Sequence, residues 1–255
     1  MTGYRELLEK EMVEAWRTYR LGVVAALFLV LGITAPVLTR FLPDIIKALA
    51  PAGFNVDVPD LGISDVLDQL LKNLIQFGAL AAILVTMGSV ATEKERGTAA
   101  FVLAKPVTRT AFLGAKIVAI GMIFAVATAL AVAGAWVYTG LLYFSPPALP
   151  WIKLGVVIWL SMMVYVSITF LGSVLMRSSL GAAGVGFAGL IALSLASVVP
   201  ILSTWLPSGL VAVAKSVALE ESSADVHPIR TVAACALIVG GCLFVAWLRF
   251  RDEEL

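Results

Sequence analysis

The run Ile117-Val-Ala-Ile-Gly-Met-Ile-Phe-Ala-Val-Ala-Thr-Ala-Leu-Ala-Val-Ala-Gly-Ala-Trp-Val-Tyr-Thr-Gly-Leu-Leu-Tyr-Phe144 decides the fold, because it contains no charged residue from end to end. About 20 apolar residues in a helix are enough to cross the hydrocarbon core of a bilayer. Five further segments share this character: about 21–37, 74–92, 154–176, 178–200 and 231–248. The expected fold is therefore all-α. It is a single transmembrane domain over 1–255 with six spans, of which 117–144 is long enough to tilt or overrun the membrane. After Ser178 no charge occurs until Lys215. Pro200 and Pro207 divide that stretch, so a helix should end near Pro200 and a short apolar segment, 201–214, should lie in or re-enter the leaflet.

The composition agrees. Hydrophobic residues make up 60% and charged residues 14% of the 255, and the mean hydropathy is +0.99. Soluble domains carry about 25% charged residues, and disordered chains combine low hydrophobicity with high charge. A net charge of +1 gives no footprint for nucleic acid. With the N-terminus inside, twelve Lys and Arg fall on the inner segments and six on the outer ones. By the positive-inside rule this places both termini in the cytoplasm of a multi-pass protein of the cell (inner) membrane. The residues before the first span include Glu6, Glu9, Glu11 and Glu14, unlike the short positive region of a signal peptide, so the first span is read as retained.

Residues 4–20 form an amphipathic pattern, with Tyr4, Leu7, Leu8, Met12, Ala15, Trp16 and Tyr19 on one face. This fits a helix lying on the inner leaflet, or one capping a neighbouring element. Between spans one and two, Pro43, Pro51 and Pro59 argue against long helices. The stripe Ile63, Val66, Leu67, Leu70, Leu71 and Leu74 then leads into span two. Asp57, Asp60, Asp65 and Asp68 lack the spacing of a Ca loop and read as a solvated face.

The inner loop at 93–111 begins Glu93-Lys-Glu-Arg-Gly97-Thr98 and continues Ala-Ala-Phe101-Val102-Leu103-Ala-Lys-Pro106-Val-Thr-Arg109. Gly97 permits a turn, Thr98 can cap a helix and Pro106 ends one. The short helix between them, 99–105, presents apolar Phe101, Val102 and Leu103 outside the bilayer, as a docking site for a partner would.

This loop resembles the signature of ATP-binding cassette (ABC) transporter permeases of the second exporter type, which include the Nos-type permeases. Glu93, Gly97, Thr98, Leu103, Pro106, Val107, Arg109 and Lys116 match its residues in order. The helix before span one, the Leu206-Pro-Ser-Gly-Leu210 segment and the Phe250-Arg-Asp-Glu-Glu ending extend the likeness over nearly the whole chain. Asp252 stands where relatives commonly have a second Arg. The resemblance implies that 99–105 is a coupling helix seated in a cleft of an ABC ATPase subunit. It also implies a second permease copy or paralogue, and re-entrant outer helices between spans five and six.

Other motifs do not hold. Gly184-x-Gly186-x-x-Gly189 lacks the strand and the acidic residue of a dinucleotide fingerprint. With Gly181, these glycines instead allow close helix packing. No phosphate-binding loop occurs, so ATP and Mg would be bound by the partner ATPase. The chain itself is expected to hold no cofactor or metal and to be no enzyme. No span carries a charge at its middle, whereas ion-coupled carriers usually do. Ser161, Tyr165, Thr169 and Ser173 form a neutral polar stripe, read either as interhelical hydrogen bonding or as the wall of a pathway. The function these features support is the permease of an ATP-driven exporter. The alternatives are an ATP-independent carrier or channel for a neutral or hydrophobic solute, and a membrane scaffold.

Overall fold

The computed structural model describes residues 3–49, 61–98, 107–144, 146–199, 205–219 and 228–252. Phe101, Val102, Leu103 and Pro106, with the rest of the expected 99–105 helix, lie outside the described residues, as do Asp57, Asp60 and Pro200. The described chain is helical: α1 Tyr4–Arg17, α2 Arg20–Leu49, α3 Ile63–Thr86, α4 Ala91–Glu95, α5 Arg109–Leu142, α6 Ala148–Leu175, α7 Ser179–Ala196, α8 Pro207–Leu219 and α9 Pro228–Arg251. Six helical stretches are long and apolar enough to cross a membrane: α2, α3 continued through α4, α5, α6, α7 and α9.

The first span corrects the expectation that Pro43 argues against a long helix. α2 continues through Pro36 and Pro43 to Leu49. Each proline removes one backbone donor. At Pro36, inside the span, a chain that left the helix would expose backbone groups to hydrocarbon, so a helix missing one bond is the cheaper state; Pro43 lies among Arg40, Asp44 and Lys47 at the outer end, where water can take the carbonyl that it leaves free. The stripe entering α3 behaves as its periodicity requires, with Val66, Leu67, Leu70, Leu71 and Leu74 all buried. Asp65 accepts a hydrogen bond from the Gly62 N–H at 2.8 Å, so this carboxylate closes a helix start.

α6 is the axis of the bundle and packs against α3, α5, α7, α8 and α9. α2 lies along α5, and Gly32 makes the approach close: a Cβ there would fall 2.1 Å from the Ala131 carbonyl oxygen. Phe28 and Phe124 meet edge to face in the same layer, with ring centroids 6.0 Å apart. The glycines of α7 do not act alike. A Cβ on Gly186 would lie 2.6 Å from Thr169 Oγ1, and one on Gly189 2.6 Å from Ile168 Cγ2, so both face α6. Gly181 faces Ser178 and Met176 of its own turn, and Gly184 has nothing within 4 Å. α8 has 13 residues, about 20 Å of helix, which is too short for a core of about 30 Å. Its Leu210, Val213 and Ala214 are buried.

Candidate functional site at the base of the 93–111 loop

Where the chain enters the loop, helix geometry breaks. α3 ends at Thr86 and α4 starts only at Ala91, which leaves N–H groups without intrahelical acceptors. Val90, at the N-cap of α4, offers no side-chain cap. Ser173, fully buried on α6, supplies one from 80 residues away in sequence: its Oγ accepts from the N–H of Val90 at 3.0 Å and of Ala91 at 2.9 Å. Thr92 and Ser179 share a hydroxyl hydrogen bond of 2.9 Å that ties α4 to α7. Lys94 donates to the carbonyl of Val174 at the end of α6. Gly97 then takes φ 66°, the left-handed conformation that favours glycine after a helix, and its N–H donates to the Lys94 carbonyl at 3.1 Å. Thr98 donates back to the Glu93 carbonyl at 3.2 Å.

Where the chain leaves the loop, Thr108 caps α5, its side chain accepting from the Ala111 N–H at 3.1 Å. Arg109 donates to the carbonyls of Phe250 and Arg251 at 2.8 and 2.7 Å. These are among the terminal carbonyls of α9 that no intrahelical donor can reach. Phe112 stacks on fully buried Phe250, centroids 5.4 Å apart and 5° from parallel. Trp247 donates to the Thr110 hydroxyl at 3.2 Å. The Phe-Arg ending is thus fastened to the loop base.

Between the two stems lies a charged cluster. Lys116, only 3% exposed, donates to Glu11 and to Glu93, each at 2.9 Å. Lys10 donates to the same two carboxylates at 3.4 and 3.3 Å. A buried ammonium is tolerated only when it is paired and hydrogen-bonded, and two carboxylates supply that here. Burial alone would lower the pKa of Lys10, but Glu93, Glu11 and Glu14 outweigh it and hold the ammonium above its ordinary value. One oxygen of Glu93 is buried without a hydrogen-bond partner among the described residues. The cluster walls a polar cavity of about 350 Å³, which Glu14, Arg20, Ser89 and Arg96 also line. α1 is held there through its charges and against the bundle by buried Leu7 and Ala15, while Trp16 and Tyr19 stay exposed.

The sequence singled out Glu93, Gly97, Thr98 and Arg109, and the fold brings these together at the loop base. Lys10 and Glu11 join them, a role that the sequence did not reveal, and Ser173 joins them from the polar stripe through hydrogen bonds between helices, one of the two readings of that stripe. The one local hint was a lysine directly preceding the uncharged run 117–144. The stripe on α6 divides. Ser161 donates to the Val157 carbonyl at 3.1 Å and Thr169 to the Tyr165 carbonyl at 2.9 Å, both inside the helix. Tyr165 lines a cavity of about 720 Å³ with Asp68, Lys72 and Gln76 of α3 and Leu190, Ile191 and Ser194 of α7. Lys215 of α8 pairs with Asp68 at 2.7 Å beside it.

The chain is 28% identical over 256 residues to the "Uncharacterized transmembrane protein YxlG" of Bacillus subtilis (strain 168), covering 97% of each chain. Residues 5–215 match the model of the ABC-2 family transporter protein. That match spans the amphipathic helix, the loop base and five of the six membrane-crossing stretches, and the chain belongs to the ABC-2 family of transporter proteins.

Proposed function

We propose that the chain is the permease subunit of an ATP-driven exporter. Two copies, identical or paralogous, enclose the pathway in the cell membrane, with both termini cytoplasmic. Each copy receives an ATPase chain, which carries ATP and Mg, on segment 99–105. The observation that carries this reading is the construction of the loop base. A push on the loop reaches α1 through Glu93 and Lys10, and α5 through Lys116. It reaches α6 and α7 through Lys94, Ser173 and Thr92, and α9 through Arg109. These bonds tie the base of one loop to five helices at once. Family membership and the excess of positive charge on the loop side support the same reading. The cavity beside Tyr165, between α3 and α7, is the part of the pathway wall that one copy would contribute.

The test is co-purification of the full chain with its ATPase, followed by ATP-dependent export from membrane vesicles. Replacing Phe101 and Leu103 with Asp is expected to abolish both co-purification and export while the chain still inserts. Unchanged co-purification would remove the coupling assignment. Substrate movement by the purified chain in liposomes without nucleotide would favour an ATP-independent carrier instead.

A further inference from the structure

We propose that the apolar groove between α5 and α6 holds one acyl chain of a bilayer lipid, in the leaflet opposite the loop base. The groove has a volume of about 560 Å³. Small residues hollow it out, Ala125 and Ala129 on α5 and Gly155 on α6, and the rings of Trp136, Trp151 and Trp159 form its walls. Two of the indole N–H groups are already spent. Trp136 donates to the Pro146 carbonyl at 3.0 Å and Trp159 to the Gly121 carbonyl at 2.9 Å. Those bonds fix the rings and leave their apolar faces to the groove, so that apart from the Thr128 hydroxyl its lining offers mainly hydrocarbon contact.

Dimensions and surroundings select the occupant. From Ala125 to Trp136 the groove follows α5 for about 16 Å at the helical rise of about 1.5 Å per residue. That is close to half of a hydrocarbon core of about 30 Å, the depth of one leaflet and hence the reach of one acyl chain. Water is disfavoured because an apolar cavity stays dry. The groove opens between exposed Val126, Ile152 and Val156, on a surface that faces lipid in a membrane-spanning bundle. This site is independent of the transport reading above, since it depends only on the α5–α6 pair.

The experiment uses the full chain in nanodiscs of phosphatidylethanolamine and phosphatidylglycerol, doped with a phospholipid that carries a diazirine at the end of one acyl chain. Adducts are mapped by peptide mass spectrometry after irradiation. Labelling within 125–136 and 151–159 is expected to exceed that at Leu237 and Phe244, which are exposed on α9, by at least fivefold. A variant combining Ala129→Leu and Gly155→Leu, which fills the groove, should lose that excess and keep its α9 labelling. A Cβ on Gly155 would make ordinary contact with Val132, nearest atom 3.6 Å away, so the position accepts a side chain without a clash. Should that variant not purify, Ala129→Met alone should release one retained lipid per chain in native mass spectrometry. Labelling spread evenly over the apolar surface, an excess that survives filling, an unchanged lipid count, or chain-to-chain crosslinks through this groove would each overturn the proposal.

Discussion

Replacing Lys116 with Met tests the central claim about the loop base. Lys116 is 3% exposed and bridges Glu11 and Glu93 at 2.9 Å each. Removing one partner of a buried ion pair costs about 3–5 kcal/mol, because the charge left behind is neither solvated nor compensated. Two carboxylates would be left here, but both are partly exposed and Lys10 remains within 3.4 Å of them. The expected loss is therefore about 3 kcal/mol, the low end of that range, or roughly a hundredfold in the folding equilibrium. The assay is reversible unfolding of the purified full chain in mixed micelles. Lys215→Met is the control, since its bridge to Asp68 is far more open to solvent, with the side chains 31% and 55% exposed, and surface pairs are worth about 1 kcal/mol or less. Adding Glu11→Gln and Glu93→Gln to Lys116→Met should restore most of the loss, because a neutral buried set needs no counter-charge. If Lys116→Met costs no more than Lys215→Met, the cluster does not hold α1 to the loop base, and the mechanical role assigned to it fails.

Further expectations concern the other bonds at this site and the close helix contacts. Ser173→Ala should orphan the N–H groups of Val90 and Ala91, at about 1–3 kcal/mol, and hydrogen exchange at those two amides should speed up. Arg109→Met should cost about 2 kcal/mol, since bonds from a charged donor are worth about 1.5–3 kcal/mol, and exchange should rise selectively at the end of α9, near Phe250. Gly32→Ala should destabilise by about 1–3 kcal/mol by forcing α2 from α5, whereas Gly184→Ala, inside α7 with nothing within 4 Å, should not lower the melting temperature, since Ala favours a helix interior over Gly. Because the Lys10 pKa is raised in the folded chain, its contribution is fully present below the ordinary value of 10.5 and is lost as pH climbs through the raised one. Unfolding midpoints should therefore drop in that alkaline window, and Lys10→Met should flatten the drop.

Much of the architecture was legible because hydropathy is a local property. The uncharged run 117–144 is sufficient for a span whatever it packs against, and the stripe from Ile63 to Leu74 announces its buried face at helical spacing. Pro43 misled, since α2 runs through it, whereas Pro207 does open a new helix as expected. Gly97 could be recognised because the need for a left-handed residue after a helix is also local. Ser173 was visible as part of a polar stripe, but its partners were not, because its acceptor role depends on a break in a helix more than 80 positions away.

By itself, then, the sequence determined which segments enter the membrane, which stay outside, and which loop carries the motif, since each is decided within one or two helical turns. Only the tertiary structure decided what the motif residues do. Glu93 meets Lys10 and Lys116, Arg109 closes the end of α9, and Tyr165 reaches a cavity while its neighbours on the stripe bond inward. Those outcomes depend on which helix faces are pressed together, and the packing of small residues such as Gly32 and Gly186 sets that. An ammonium or a buried N–H has to find its partner in space, and nothing in the spacing along the chain says where that partner is.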